Sequence, residues 1–219
     1  KLILYFLCFF ILFRCFGVDK WLSIAGGLAT GLSSYFLVII PAGHNTKAAT
    51  IALIAVVVGG FYLIFRKKYA LGAVLTMLFT AAGFDLHPQM FYYYCMLIGV
   101  LWIAELFIHI KDRRWKDLVL ATVVFALSLG IGVGTGSANV FANAEYVEQT
   151  QRGGSSDLSS EGVNNKGLDL NYATQWSYGI DETMSLMIPG FKGGSSTGRL
   201  RQNSQLYKTL RSKGVGASD

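Results

Sequence analysis

The chain has 219 residues, 53% of them apolar and 15% charged, with a positive mean hydropathy. Its charges gather in short breaks instead of spreading along helix faces, which excludes an ordinary water-soluble domain and leaves a polytopic membrane protein. The net charge of +6 is no nucleic-acid footprint, because eight basic and eight acidic residues cancel from Ser137 onward and the excess lies among the apolar runs.

Six apolar runs follow in chain order, at 2–16, 21–40, 48–65, 69–83, 91–110 and 118–137. A spanning helix needs about 20 such residues, with about 17 tolerated, so the first and fourth are short. The chain opens at Lys1 without an initiator Met and closes on GVGASD without a terminating element, which reads as a piece cut from a longer protein at both ends. One apolar run and a cleavage site would mark a secretory signal; five more runs argue against it. The expected fold is an all-α polytopic membrane protein, a bundle of about six transmembrane helices over 1–137 followed by an extracytoplasmic, partly irregular segment over 138–219.

The breaks alternate in charge. Arg14 and Lys20, then Arg66, Lys67 and Lys68, then Lys111, Arg113, Arg114 and Lys116 occupy every second break, while the short breaks between them hold only Lys47. Positive residues mark the cytoplasmic side, so the other breaks and the C-terminal segment are expected outside a cytoplasmic membrane. Cys8, Cys15 and Cys95 all fall within apolar runs and read as small buried hydrophobes, not a disulfide framework. The glycine series at 130, 132, 134 and 136 lacks the pattern of a phosphate loop and suits helix packing or termination.

Three outward segments carry chemistry. In GHNTK, residues 43–47, His44, Asn45 and Lys47 stand at the start of the third run, where backbone N–H groups favour an anion such as a phosphate. A capped helix with a snorkelling lysine is the plainer alternative. In DLHPQ, residues 85–89, Asp85 and His87 can share a proton, hold a divalent cation or assist general base chemistry, with Gln89 beside them; a solvated turn would look the same. The third segment brings Gln175, Trp176, Tyr178, Asp181 and Glu182 within eight residues, a set suited to stacking on a sugar ring and bonding its hydroxyls, or to an interfacial belt with capping acids. Around it, 151–166 reads as a mobile polar loop, 168–192 as an ordered stretch, and 204–213 as a short helix with Asn203 or Ser204 as N-cap and Gly214 as its stop. Glu105 and His109, four apart in the fifth run, are expected to pair with each other or with the basic break beyond.

The words GHNTK, HPQM-Y-Y, YATQWSYGI-ET and MIPGFKGG-S, within 33–47, 87–93 and 167–196, together resemble the bacterial YfhO family of polytopic membrane proteins, with similar spacing from Leu2 to Gly214. The resemblance implies a glycosyltransferase-C-like enzyme of the cytoplasmic membrane that moves a sugar from a polyprenyl-phosphate carrier to a cell-envelope glycan or polymer outside. It also implies a catalytic acidic residue in a first outer loop upstream of Lys1. The glycine-rich stretch 129–137 departs from the bulkier run expected of the family. On this reading His44, Asn45 and Lys47 hold the lipid-linked phosphate, Asp85 and His87 with Gln89 orient the acceptor or a cation, and the Trp176 region frames the sugar. A transporter or flippase, or a non-catalytic envelope assembly protein, would use the same polar groups differently.

Overall fold

The computed structural model describes residues 1–147, 174, 177, 179–188, 191 and 202–214. The chain divides into two compact units, Lys1–Ser177 and Tyr178–Asp219. The described residues are helical or in turns, with no strand among them. In the first unit the helices are α1 (Leu2–Cys15), α2 (Lys20–Gly31), α3 (Ser34–Ile39), α4 (Asn45–Phe65), α5 (Tyr69–Leu86), α6 (Pro88–Lys111), α7 (Trp115–Gly134) and α8 (Ser137–Val147). The second unit carries a 3-10 turn, Ile180–Leu186, and α9 (Gln205–Ser212), with Ser204 accepting from the Tyr207 N–H and Gly214 at φ +71° just beyond.

Four helices, α4 to α7, are long and apolar enough to cross a membrane. At about 1.5 Å per residue, the 21 residues of α4 reach about 32 Å, matching a hydrocarbon core of about 30 Å. The expectation of six spanning helices is corrected at the second run: 21–40 is not one helix but two. The chain leaves helical geometry at Leu32 and Ser33, the latter extended at ψ 147°, and α3 adds only six residues. Consecutive serines after Gly31 explain the break, since serine side chains offer the backbone alternatives to helix and favour N-cap positions. With 14 residues, α1 is also short of a full span. Where the sixth run was expected to end the bundle at 137, α8 instead continues in helix to Val147.

Packing is organised around α4. In its most apolar stretch 72% is buried, against 22%, 22% and 28% in α5, α6 and α7, whose outer faces expose Leu71, Leu78, Leu97, Val100, Val119 and Leu127. Such a surface is a liability in water and suits lipid. What lets α5 approach is the absence of side chains: a Cβ on Gly60 would lie 2.5 Å from Thr76 Oγ1 and 2.9 Å from the Gly72 carbonyl oxygen, and one on Gly72 would lie 2.7 Å from the Gly60 carbonyl oxygen. Small residues at such a crossing bring backbones together where lipid leaves no hydrophobic driving force between helices. Gly132 of α7 meets Thr80 of α5 in the same way, its Cβ position 2.7 Å from that side chain.

These contacts fix direction. Gly60 faces Gly72, and Thr50 Oγ1 donates to the Gly83 carbonyl at 3.2 Å, so α4 and α5 are antiparallel. Trp102 Nε1 donates to Thr122 Oγ1 at 2.9 Å across α6 and α7, and Phe61 meets Phe125 edge-on with centroids 5.1 Å apart. Gly59 abuts Cys15, and Phe16 packs on Tyr62 at 4.9 Å, which sets α1 parallel to α4. One end of the bundle therefore gathers the turns after α1, α4 and α6, with Arg14, Lys20, Arg66, Lys67, Lys68, Lys111, Arg113, Arg114 and Lys116. The other gathers the start of α4, the α5–α6 turn and the start of α8.

All three turns at the basic end close alike: Val18, Lys68 and Arg114 N–H groups donate back to Phe13, Leu63 and His109 carbonyls at 3.0, 2.9 and 2.9 Å. The residue before each donor is left-handed, namely Gly17, Lys67 and Arg113 at φ +81°, +66° and +55°.

Gly60→Leu is expected to lower stability by about 1–3 kcal/mol through overpacking, read as thermal unfolding in detergent. Gly99→Ala, whose Cβ meets nothing within 4 Å, should be neutral. Equal effects at the two glycines would remove the close crossing as the organising contact.

Candidate functional site

The end opposite the basic turns carries two of the three polar segments. His44 occupies the N-cap position of α4 without a side-chain capping bond, and Asn45 opens the helix. The His44 side chain therefore engages none of the first-turn N–H groups, of which the Asn45 N–H donates to the Gly43 carbonyl at 2.8 Å. Lys47, half-buried, holds its ammonium 5.9 Å from the centre of the Tyr35 ring, and Tyr35 packs edge-on against Phe36 of α3 with centroids 5.6 Å apart. The second run's break is what brings Tyr35 there.

Across the same end, His87 is the N-cap of α6: its Nδ1 accepts from the Met90 N–H at 3.4 Å, with Pro88 in the first helical position. An accepting Nδ1 places the proton of the neutral ring on Nε2. Asp85 accepts a hydrogen bond from Asn139 Nδ2 of α8. Gly136 permits that approach, since its Cβ position lies 3.0 Å from Phe84 Cδ1 and 3.8 Å from Asp85 Oδ1. Gln89 Nε2 donates to the Tyr93 hydroxyl at 3.2 Å. His44, Asn45, Asp85 and Gln89 are exposed. The arrangement is a polar surface that offers an anion one ammonium and a helix start, and offers an acceptor one tethered carboxylate and one imidazole.

The third segment runs from the end of the first unit into the second. Asp181 and Glu182 lie exposed in the 3-10 turn of the second unit, where Glu182 Oε2 accepts from the Gly179 N–H at 2.9 Å and so caps its own turn. Gln175, Trp176 and Tyr178 lie outside the described residues, as do the loop 151–166 and the rest of 168–192 apart from 174, 177, 179–188 and 191. Among the described residues no three His, Cys, Asp or Glu side chains converge as a metal site would require.

Asn139 is the residue the sequence reading missed. Its signal was positional: an amide one turn into a helix that follows Gly136, at an end of the bundle that the alternation of breaks assigns to Asp85. The Glu105 and His109 pair forms as expected but with a different cation. His109 Nδ1 lies 2.8 Å from the Glu105 carbonyl oxygen and 3.5 Å from its carboxylate, and Arg66 from the α4–α5 turn, not the break after α6, donates to both Glu105 oxygens at 2.9 and 3.2 Å. Lys67 then pairs with Asp117 at 2.7 Å, and Arg114 with Asp112 at 2.6 Å. The antiparallel return of α6 explains the choice of Arg66, because it brings Glu105 back beside the α4–α5 turn.

Glu105 is 7% exposed whereas the Arg66 side chain is 41% exposed. Arg66→Ala therefore strands a buried carboxylate without its cation and is expected to cost about 1–3 kcal/mol, against under about 1 kcal/mol for Glu105→Ala, which leaves a guanidinium that water reaches and keeps the His109 bond to the residue-105 backbone carbonyl. Denaturant titration of both variants reads the asymmetry, and a larger effect at Glu105 would contradict it.

Comparison of the chain with known protein families, with curated proteins and with solved structures gives no match.

Proposed function

We propose that the chain belongs to an integral membrane glycosyltransferase that takes a sugar from a polyprenyl-phosphate carrier and passes it to a cell-envelope acceptor on the extracytoplasmic side of a bacterial cytoplasmic membrane. What supports the reading is one juxtaposition: the start of α4 with His44, Asn45 and Lys47, and the Asp85/His87 turn with Asn139, occupy the same bundle end, across the helices from nine basic residues. Under the positive-inside rule that end faces outward. A lipid-linked phosphate arrives along the bilayer face, and a cation beside the positive end of a helix is the chemistry that receives it.

In this scheme Lys47 and the first turn of α4 bind the phosphate, with His44 and Asn45 adding donors. Asp85, held by Asn139, accepts the proton of the attacking hydroxyl as the bond from the anomeric carbon to the carrier phosphate breaks. His87, its Nδ1 committed to the α6 cap, offers Nε2 to the acceptor or to a hydroxyl. Gln89 borders the acceptor path. Trp176 with its neighbours Gln175, Tyr178, Asp181 and Glu182 belongs to the sugar-binding part of the proposal, carried by residue chemistry alone. A divalent cation, if used, would draw on Asp85.

Incubation of the membrane-reconstituted protein with a labelled polyprenyl-phosphate sugar and an envelope polymer tests the reading. Transfer is expected, with Lys47→Ala raising the apparent KM for the carrier about tenfold or more and Asp85→Asn lowering kcat by about 100-fold. Movement of the carrier across vesicles without transfer would mean a flippase, and neither activity would mean an assembly protein. Full transfer by either variant would withdraw the role given to that residue.

A further inference from the structure

The basic end has a surplus of cations that the fold does not use. Of its acidic groups, Glu105 is taken by Arg66 and His109, Asp117 by Lys67 and Asp112 by Arg114, while Asp19 caps α2 through the Trp21 N–H. Lys68, Lys111, Arg113 and Lys116 are exposed and make no ion pair among the described residues. Two tryptophans stand with them: Trp21 is 68% exposed beside Lys20, whose ammonium lies 5.2 Å from its ring, and Trp115 is 53% exposed at the start of α7. Exposed indoles at the ends of apolar helices sit at headgroup level. Arg113 adds a separate sign. It holds the left-handed position of its turn at φ +55°, which the matching turn after α1 gives to Gly17. Lys67 in the same position is explained by its bond to Asp117; Arg113 has no such partner, so an unstrained glycine has been forgone for a charge that the fold itself does not spend.

We propose that this end of the bundle is a binding rim for anionic phospholipid headgroups, with Lys68, Lys111, Arg113 and Lys116 contacting the phosphates and Trp21 and Trp115 seated between headgroups and acyl chains. The proposal rests on the helices spanning a bilayer but not on sugar transfer. Juxtamembrane lysines and arginines attract anionic lipid because the surface potential there is negative, and the attraction fades within a Debye length as salt rises. The rim would hold a lipid shell richer in anionic species than the surrounding bilayer, fixing the depth and tilt of α6 and α7.

The test is native mass spectrometry of the protein released from nanodiscs of equal parts phosphatidylcholine and phosphatidylglycerol. Retained phosphatidylglycerol is expected to exceed phosphatidylcholine by about 5- to 20-fold at about 0.1 M salt, falling several-fold at about 0.5 M. The variant Lys68→Gln/Lys111→Gln/Arg113→Gly/Lys116→Gln should lose most of that preference. Arg113→Gly alone is the variant that cannot fail through misfolding for lack of the native backbone, since it relaxes the turn. It should raise the unfolding temperature slightly while lowering phosphatidylglycerol retention by about threefold to fivefold. Equal retention of the two lipids, or unchanged preference in Arg113→Gly and the fourfold variant, overturns the proposal. A chain that does not enter these nanodiscs overturns the membrane reading and this proposal together, whereas insertion without preference overturns the proposal alone.

Discussion

Contact between α4 and α5 at Gly60 and Gly72 is the constraint from which the rest of the first unit follows. Two backbones meeting where a Cβ would lie within 2.5–2.9 Å of its neighbours leave no freedom to slide or rotate, since any shift drives a helix into Thr76 or Ile64. With that crossing set, α7 seats Gly132 on Thr80, and α6 closes the remaining side through Phe91, Tyr94 and Trp102. The tight centre also explains why α4 can be rich in Ala, Val and Gly and still hold the bundle: it is surrounded, and close approach on every side replaces bulky side chains with many short dispersion contacts.

The two ends of the bundle then solve different problems. At the basic end the turns are locked by back-bonded carbonyls and tied to one another by Arg66–Glu105 and Lys67–Asp117, so helix ends that would fray are held by charge-assisted bonds where two ions are only partly removed from water. At the other end the turn before α4 closes in the same way, with the His44 N–H on the Ile39 carbonyl after left-handed Gly43, but the side-chain fastenings are neutral or half-neutral: a threonine to a carbonyl, an amide to a carboxylate, an imidazole to a backbone N–H. An end built this way keeps its polar groups exposed and locally adjustable.

Much of this was legible in the residues. Periodic placement of basic breaks located the opposite ends before any coordinate, because charge is confined to helix termini whenever the helices are apolar on every side. Pro88 after His87 marked the start of α6, and Ser204 with Gly214 marked α9, since caps are chosen by side-chain chemistry that acts over one turn. The division of the second run was not legible in the same way: Ser33 and Ser34 permit a break without requiring one, and the short α3 that follows packs Phe36 on Tyr5 of α1 with ring centroids 3.7 Å apart. Arg66 as the partner of Glu105 and Asn139 as the partner of Asp85, 39 and 54 residues away in sequence, follow from helix directions that local pattern does not contain.

Where the ionisable residues lie along the long helices bears on what kind of surface the His44 end is. Lys47, Asp85, Glu105, His109, Lys111, Lys116 and Asp117 all fall within about two turns of a helix end, and the middle of α4 to α7 is lined by Val56, Val57, Phe61, Phe125 and threonines that abut glycine. A path for a polar solute needs charge or hydrogen-bonding groups near the midplane to replace the water it leaves. A site that works on a lipid-borne phosphate needs them only at the ends of the spanning helices, and Lys47 is the third residue of α4. Charge is confined to the ends of α4 to α7, while Thr76, Thr80 and Tyr94 keep hydroxyls buried between the helices, and the glycine packing around them holds α4 and the α5–α6 turn side by side.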